Sequence, residues 1–159
     1  MNHQSPRRAI PALILLFATA AFGGATPAET RAEIESGIKN YARLLKAQDA
    51  EKIAALYTSD GELLNPGMDT LRGPEAIKKF LLSLKDVKVE EVDMLPGAIE
   101  SGANEAMQWG TYTQRVVLPG RTQPLAVAGR YVADWRKQPD GRWLLRRMLT
   151  QPDPVRPRD

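Results

Sequence analysis

The stretch Tyr57-Thr58-Ser59-Asp60-Gly61-Glu62-Leu63-Leu64-Asn65-Pro66-Gly67, followed by Leu71-Arg72-Gly73-Pro74-Glu75-Ala76-Ile77, marks where the chain changes period. Upstream of it, apolar residues recur at helical spacing. From Val87 onward they follow strand spacing and are rich in β-branched and aromatic residues. Helices before a run of long strands argue for an α+β fold rather than alternating α/β. Within the stretch, Glu62 to Asn65 reads as a short strand ended by Pro66-Gly67, with Met68 and Asp69 in the loop that follows. Pro74 suits the first turn of a helix, to which Ile77, Phe80, Leu81 and Leu84 give an apolar face.

Working upstream, Thr30-Arg31-Ala32-Glu33 reads as a capping box for a helix running to about Ala47. Ile34, Ile38, Tyr41 and Leu45 form its buried stripe. Asp49 reads as the N-cap of a second, short helix carrying Ile53, Leu56 and Tyr57 and stopped by Asp60-Gly61. Downstream, strands are expected over Val87 to Met94, with a break at Pro96-Gly97, then Asn104 to Leu118, Leu125 to Lys137 and Trp143 to Gln151. Pro139-Asp140-Gly141 supplies a hairpin turn before the last. One domain, 29–151, accounts for all of these elements, and the proline-rich, charged tail 152–159 reads as disordered.

Residues 1–25 read as a secretory signal peptide: Arg7-Arg8, an apolar run from Ala9 to Phe22, then Gly23-Gly24-Ala25. The run is short for a membrane span. The expectation is a periplasmic or secreted protein that leaves the membrane once the signal is cleaved. There is no cysteine, and His3, the only histidine, lies in this segment. The mature chain would therefore hold no Ser-His-Asp triad, thiolate nucleophile or His-ligated metal, and proton transfer would fall to Asp, Glu, Tyr, Lys or water. Losing Arg7 and Arg8 lowers the formal charge from +3 to +1, which gives no reason to expect nucleic-acid binding.

The Tyr57–Gly67 and Leu71–Ile77 segments resemble SnoaL-like members of the nuclear transport factor 2-like superfamily. They look closest to the small secreted proteins grouped there as a domain of unknown function. The resemblance spans about Thr30 to Gln151 and includes Trp109-Gly110-Thr111-Tyr112 and Asp140-Gly141-Arg142-Trp143. It implies a cone: three N-terminal helices packed in a curved antiparallel sheet, with a pocket at the open end. It also implies a homodimer through the outer sheet face. Ketosteroid isomerase belongs to the same superfamily and places its base just before a proline on the short strand. The matching residue here is Asn65, before Pro66, and an amide cannot take a carbon-bound proton. The isomerase oxyanion tyrosine corresponds to Tyr41 on the first helix.

Two functional readings stay open. In one, the protein binds a small apolar or amphipathic ligand, or is a cofactor-free isomerase, cyclase or lyase. Tyr41 and Asp60 are then the candidate catalytic residues. Tyr41, Tyr57, Asn65, Met68, Gln108, Tyr112 and Arg147 are the candidate ligand contacts. Strand alternation places Trp143, Leu145, Arg147 and Leu149 on one face, so Arg147 would reach the pocket if Trp143 is core. No glycine-rich nucleotide loop is present, and no cofactor or metal is expected. In the other reading, the chain is a non-catalytic homodimeric association module whose cone is packed shut.

Overall fold

The first two helices open on a side chain that satisfies backbone donors the helix itself leaves free. The computed structural model describes residues 25–154; all but the last residue of the expected signal peptide 1–25, and the last residues of the tail, 155–159, lie outside them. Helix α1 spans Pro27–Ala47. Its cap is one turn earlier than the sequence suggested: Thr26 Oγ1 accepts from the Glu29 backbone N–H at 3.2 Å, and Glu29 accepts from the Thr26 N–H at 2.7 Å. Pro27 takes the first helical turn, and Thr30 is buried inside the helix instead of capping it. Ile34, Ile38, Tyr41 and Leu44 make the buried stripe.

Helix α2, Ala50–Ala54, is capped by the Asp49 carboxylate, which accepts from the Lys52 N–H at 3.0 Å. It ends before Tyr57, which opens strand β1, Tyr57–Leu64, instead of closing the helix. The two-residue strand β2, Leu71–Arg72, precedes helix α3, Pro74–Ser83, with Pro74 at its first turn. Four long strands follow: β3 Lys88–Ser101, β4 Glu105–Val117, β5 Leu125–Lys137 and β6 Trp143–Pro152. Strand β3 runs through the expected break at Pro96-Gly97 with a shift of register between Pro96 and Ile99. It is an edge strand, where a proline removes no ladder bond from a second neighbour.

The six strands form one sheet in the order β2-β1-β6-β5-β4-β3. The expected sheet was antiparallel throughout; the observed one is mixed, because β1 lies parallel to β6. A parallel pair needs a long crossover, and here the crossover is everything from β2 to β5. The architecture is α+β, with three helices on one face of the sheet. Trp135, Tyr131, Leu145 and Met148 from the sheet meet Ile34, Ile38, Ile53 and Ile77 from the helices in a fully buried core. Among the described residues, no helix is long and apolar enough to cross a membrane.

Two glycines let the sheet close on its own side chains. Gly110 on β4 pairs with Tyr131 on β5, and Tyr112 on β4 pairs with Gly129 on β5. Each tyrosine ring lies over the opposite glycine: a Cβ on Gly110 would be 2.9 Å from Tyr131 Cε1, and one on Gly129 would be 2.8 Å from Tyr112 Cε1. The backbone is closer still, with Leu95 O only 2.1 Å from such a Cβ at Gly110. The space beside Gly110 therefore belongs to Tyr131.

Candidate functional site

A cavity of about 350 Å³ lies between α1, α3 and the inner face of the sheet. Its apolar wall includes Leu63, Phe80, Met94 and Val127, and its polar atoms come from Tyr41, Asn65, Tyr112, Gln114 and Thr150. The residues that border it include no Asp, Glu, Lys or Arg. It can therefore satisfy neutral polar groups, while an ion would enter without a counter-charge.

Tyr41 comes from the buried stripe of α1 and borders the cavity; Tyr57, at the start of β1, lies behind it. Their hydroxyls are 3.0 Å apart, with the rings edge to face at 6.3 Å between centroids. Burial raises the Tyr41 phenol above its ordinary value. It raises Tyr57 further, with the neighbouring Tyr41 adding to the effect. Both are protonated at neutral pH. Two hydroxyls sharing one hydrogen bond leave one proton over, so the pair can still donate to a third group.

Asn65 follows β1, just before Pro66, and its Oδ1 accepts from the Thr150 hydroxyl at 2.6 Å. That bond leaves the amide N–H₂ free of the Thr150 contact, beside the cavity. Tyr112 borders the same space from β4, its phenol raised chiefly by burial. Tyr41, Asn65 and Tyr112 are thus brought together.

Other candidates lie elsewhere. Met68 sits in the β1–β2 loop, outside the cavity lining. Gln108 is fully buried on the inner face of β4, where its Oε1 accepts from Trp135 Nε1 at 3.2 Å; it is part of the core and does not border the cavity. Asp60 is exposed near Arg136 Nη1, 3.9 Å away. Its carboxyl is held below the ordinary range, first by the Thr58 hydroxyl and then by its own backbone and Arg136. It faces solvent, remote from the cavity lining.

Arg147 also departs from the expected face. The pairing of β5 with β6 slips between Asp134 and Trp135, where Asp134 opposes Arg147 while Trp135 opposes Leu145. The extra residue is a β-bulge, which reverses the alternation of everything beyond it. Leu145 and Met148 are buried, Thr150 borders the cavity, and Arg147 is turned to the outer face with its side chain 49% exposed. There its Nε donates to Glu62 at 2.8 Å and its Nη1 to Asp134 at 3.2 Å. Arg146 Nε also donates to Asp134, at 2.7 Å, so two guanidiniums cover a carboxylate that is only 8% exposed.

The bulge also hid Thr150, which simple alternation from Leu145 puts on the wrong side. Gln114 was legible, because it shares the face of Tyr112 at period two on β4.

Helices lodged against a sheet of this order, around a chamber with neutral polar groups, define a nuclear transport factor 2-like domain. The chain belongs to the SnoaL-like domain family, whose model matches residues 26–149. Among solved structures it is similar to a ketosteroid isomerase-like protein from Erwinia carotovora atroseptica, at 21% identity and a TM-score of 0.71, over 78% of this chain and 96% of that one. A scytalone dehydratase-like protein from Novosphingobium aromaticivorans aligns at 20% identity and 0.69, over 78% and 84% of the two chains. A Nostoc punctiforme protein with a cystatin-like fold aligns at 19% and 0.66, over 85% and 98%. At these identities the likeness is one of fold. A search of curated proteins finds no match.

Proposed function

We propose that this is an exported binding protein for a small, uncharged, largely apolar molecule bearing a hydroxyl or carbonyl group. The observation that carries the reading is the cavity wall: neutral hydrogen-bonding groups at Tyr41, Asn65, Tyr112 and Thr150, set in apolar surroundings with no charged residue. Export rests on the N-terminal segment, with its Arg7-Arg8, apolar run and small-residue exit. The spare phenolic proton of the Tyr41–Tyr57 pair would donate to a ligand oxygen, including one that gains charge as an enolate. Such aimed donation also supports turnover of the isomerase, cyclase or lyase kind. Any proton acceptor for it would come from water or the ligand, since Asn65 occupies the ketosteroid isomerase base position and Asp60 faces solvent.

The test is a thermal-shift screen of the mature protein against steroids, polyketide fragments, aromatic acids and lipids. A ligand that binds only the folded state raises the melting temperature. A hit weakened by Tyr41→Phe or Asn65→Ala supports the reading, and silence across the library sinks it.

A second reading has its own observation. On the outer face, Trp109 on β4 pairs with Val132 on β5, Val132 with Leu149 on β6, and Leu149 with Leu64 on β1. This apolar row crosses four strands, and Trp109 and Leu149 are 38% and 39% exposed. A second copy laid on that row would form a homodimer. Sedimentation equilibrium of the wild type and Leu149→Lys decides it: a wild-type dimer that Leu149→Lys dissociates supports this reading, and a monomeric wild type ends it.

A further inference from the structure

The cavity has an annex. A second hollow, of about 250 Å³, adjoins it between the ends of α1 and α3 and the outer strands β3 and β4. The two share Leu45, Leu81, Leu84, Val92 and Gln114 as common wall. Beyond that wall the annex is bounded by Val87, Val89, Val116 and Leu118, with Ile53 at its base.

The two chambers differ in chemistry. The first holds three aromatic rings, Tyr41, Phe80 and Tyr112, together with its hydrogen-bonding groups. The annex has no ring in its lining and no charged residue. Its polar side chains are Gln114, on the shared wall, and Gln48, whose Nε2 is already committed to Val87 O at 2.8 Å. A wall of branched aliphatic residues around this hollow offers dispersion contact along a chain and, away from the two glutamine amides, no partner for a polar ring substituent.

We infer that the ligand is a neutral amphiphile with an alkyl tail: an oxygen-bearing head beside Tyr41, Asn65 and Thr150, and a hydrocarbon chain running past Leu84 and Val92 into the annex. This rests on the cavity being a ligand site, and it narrows the class from compact ring systems to chain-bearing alcohols, ketones or esters. A carboxylate head of the same length is disfavoured, because no cation borders the first chamber.

The experiment is calorimetric titration with straight-chain primary alcohols from hexanol to tetradecanol, with the matching fatty-acid anions alongside, on the wild type and Val116→Trp. Val116 borders the annex alone, so an indole there fills it and spares the first chamber. Leu118→Trp serves the same purpose should Val116→Trp not fold. Wild-type affinity should climb about fourfold per methylene, the usual gain for a buried CH₂, and continue through the longer alcohols. In Val116→Trp the climb should stop at an intermediate length, with the shorter alcohols bound as before. The anions should bind at least about tenfold more weakly than alcohols of equal length, for want of a counter-charge.

A climb that stops at the same length in both proteins overturns the tail, and anions binding as tightly as alcohols overturn the neutral head. If steroids or aromatic compounds bind and no alcohol does, the chain-bearing class is wrong while the cavity reading stands. If nothing in either set binds, both fall together.

Discussion

The Tyr41 and Tyr57 hydroxyls meet at 3.0 Å, joining the first helix to the first strand through a single shared hydrogen bond. Neither ring has appreciable exposure, so each hydroxyl depends on the other for its protein partner. Replacing one tyrosine strands its neighbour's polar atom in a buried site. Tyr57→Phe should therefore cost about 1–3 kcal/mol of stability. The double change Tyr41→Phe/Tyr57→Phe should cost less than the two single changes added together, because it leaves no orphan. Urea denaturation of the four proteins measures the coupling, and strict additivity would contradict it.

All four tyrosines of the chain, Tyr41, Tyr57, Tyr112 and Tyr131, have phenols raised above the ordinary value, with burial the largest cause in each. The unfolded chain ionises its tyrosines near pH 10. A group whose folded pKa is raised contributes stability below the unfolded pKa and loses it as pH rises toward the folded value. The protein should thus weaken progressively above about pH 10. Tyrosinate absorbance should appear in one cooperative step with unfolding, rather than as a titration of the native state. A smooth native titration centred near pH 10 would refute this.

Gly110 and Gly120 make a controlled comparison. A Cβ at Gly110 meets Leu95 O at 2.1 Å, a backbone atom that cannot swing aside; at Gly120, φ is +75° and nothing lies within 4 Å. Gly110→Ala should cost more than about 2 kcal/mol or prevent folding. Gly120→Ala should cost only about 1 kcal/mol, the usual left-handed penalty. Thermal denaturation ranks them.

Asp134 and Arg147 face away from the cavity, which separates stability from binding. Asp134→Ala leaves Arg146 and Arg147 without their shared carboxylate and should cost about 1–3 kcal/mol. Arg147→Ala, half exposed and still leaving Arg146 on Asp134, should cost under about 1 kcal/mol. Neither should alter the affinity of a cavity ligand. Denaturation together with calorimetry tests both halves.

Local signals carried much of the fold. Asp49 and Pro74 start their helices where their side chains allow, and β5 has the limits its hydrophobic pattern implied. What escaped depended on distant partners. Thr26 and Thr30 both head a Thr-x-x-Glu pattern, and the sheet decides between them by burying Thr30. Tyr57 extends into a strand because Leu145 of β6 is there to pair with it. For the site, helical spacing put Tyr41 on a buried stripe, and it was the resemblance to ketosteroid isomerase that singled out Tyr41 and Asn65, both of which border the cavity. Arg147 and Thr150 exchanged faces because one extra residue in β6 reverses the alternation, and nothing in that strand's composition announces it.

The parallel pairing of β1 with β6 has a consequence for how the chain acquires its shape. The first strand made is the neighbour of the last, so its principal partner does not exist until nearly the whole polypeptide has been synthesised. Until β6 arrives, β1 has only two-residue β2 beside it, although α1 can already rest on β3. Loop closure on that scale is slow, and it leaves β1 without its main partner on the nascent chain. The N-terminal strand is thus the last part of the sheet to be secured, and its place depends on the C-terminal one being complete.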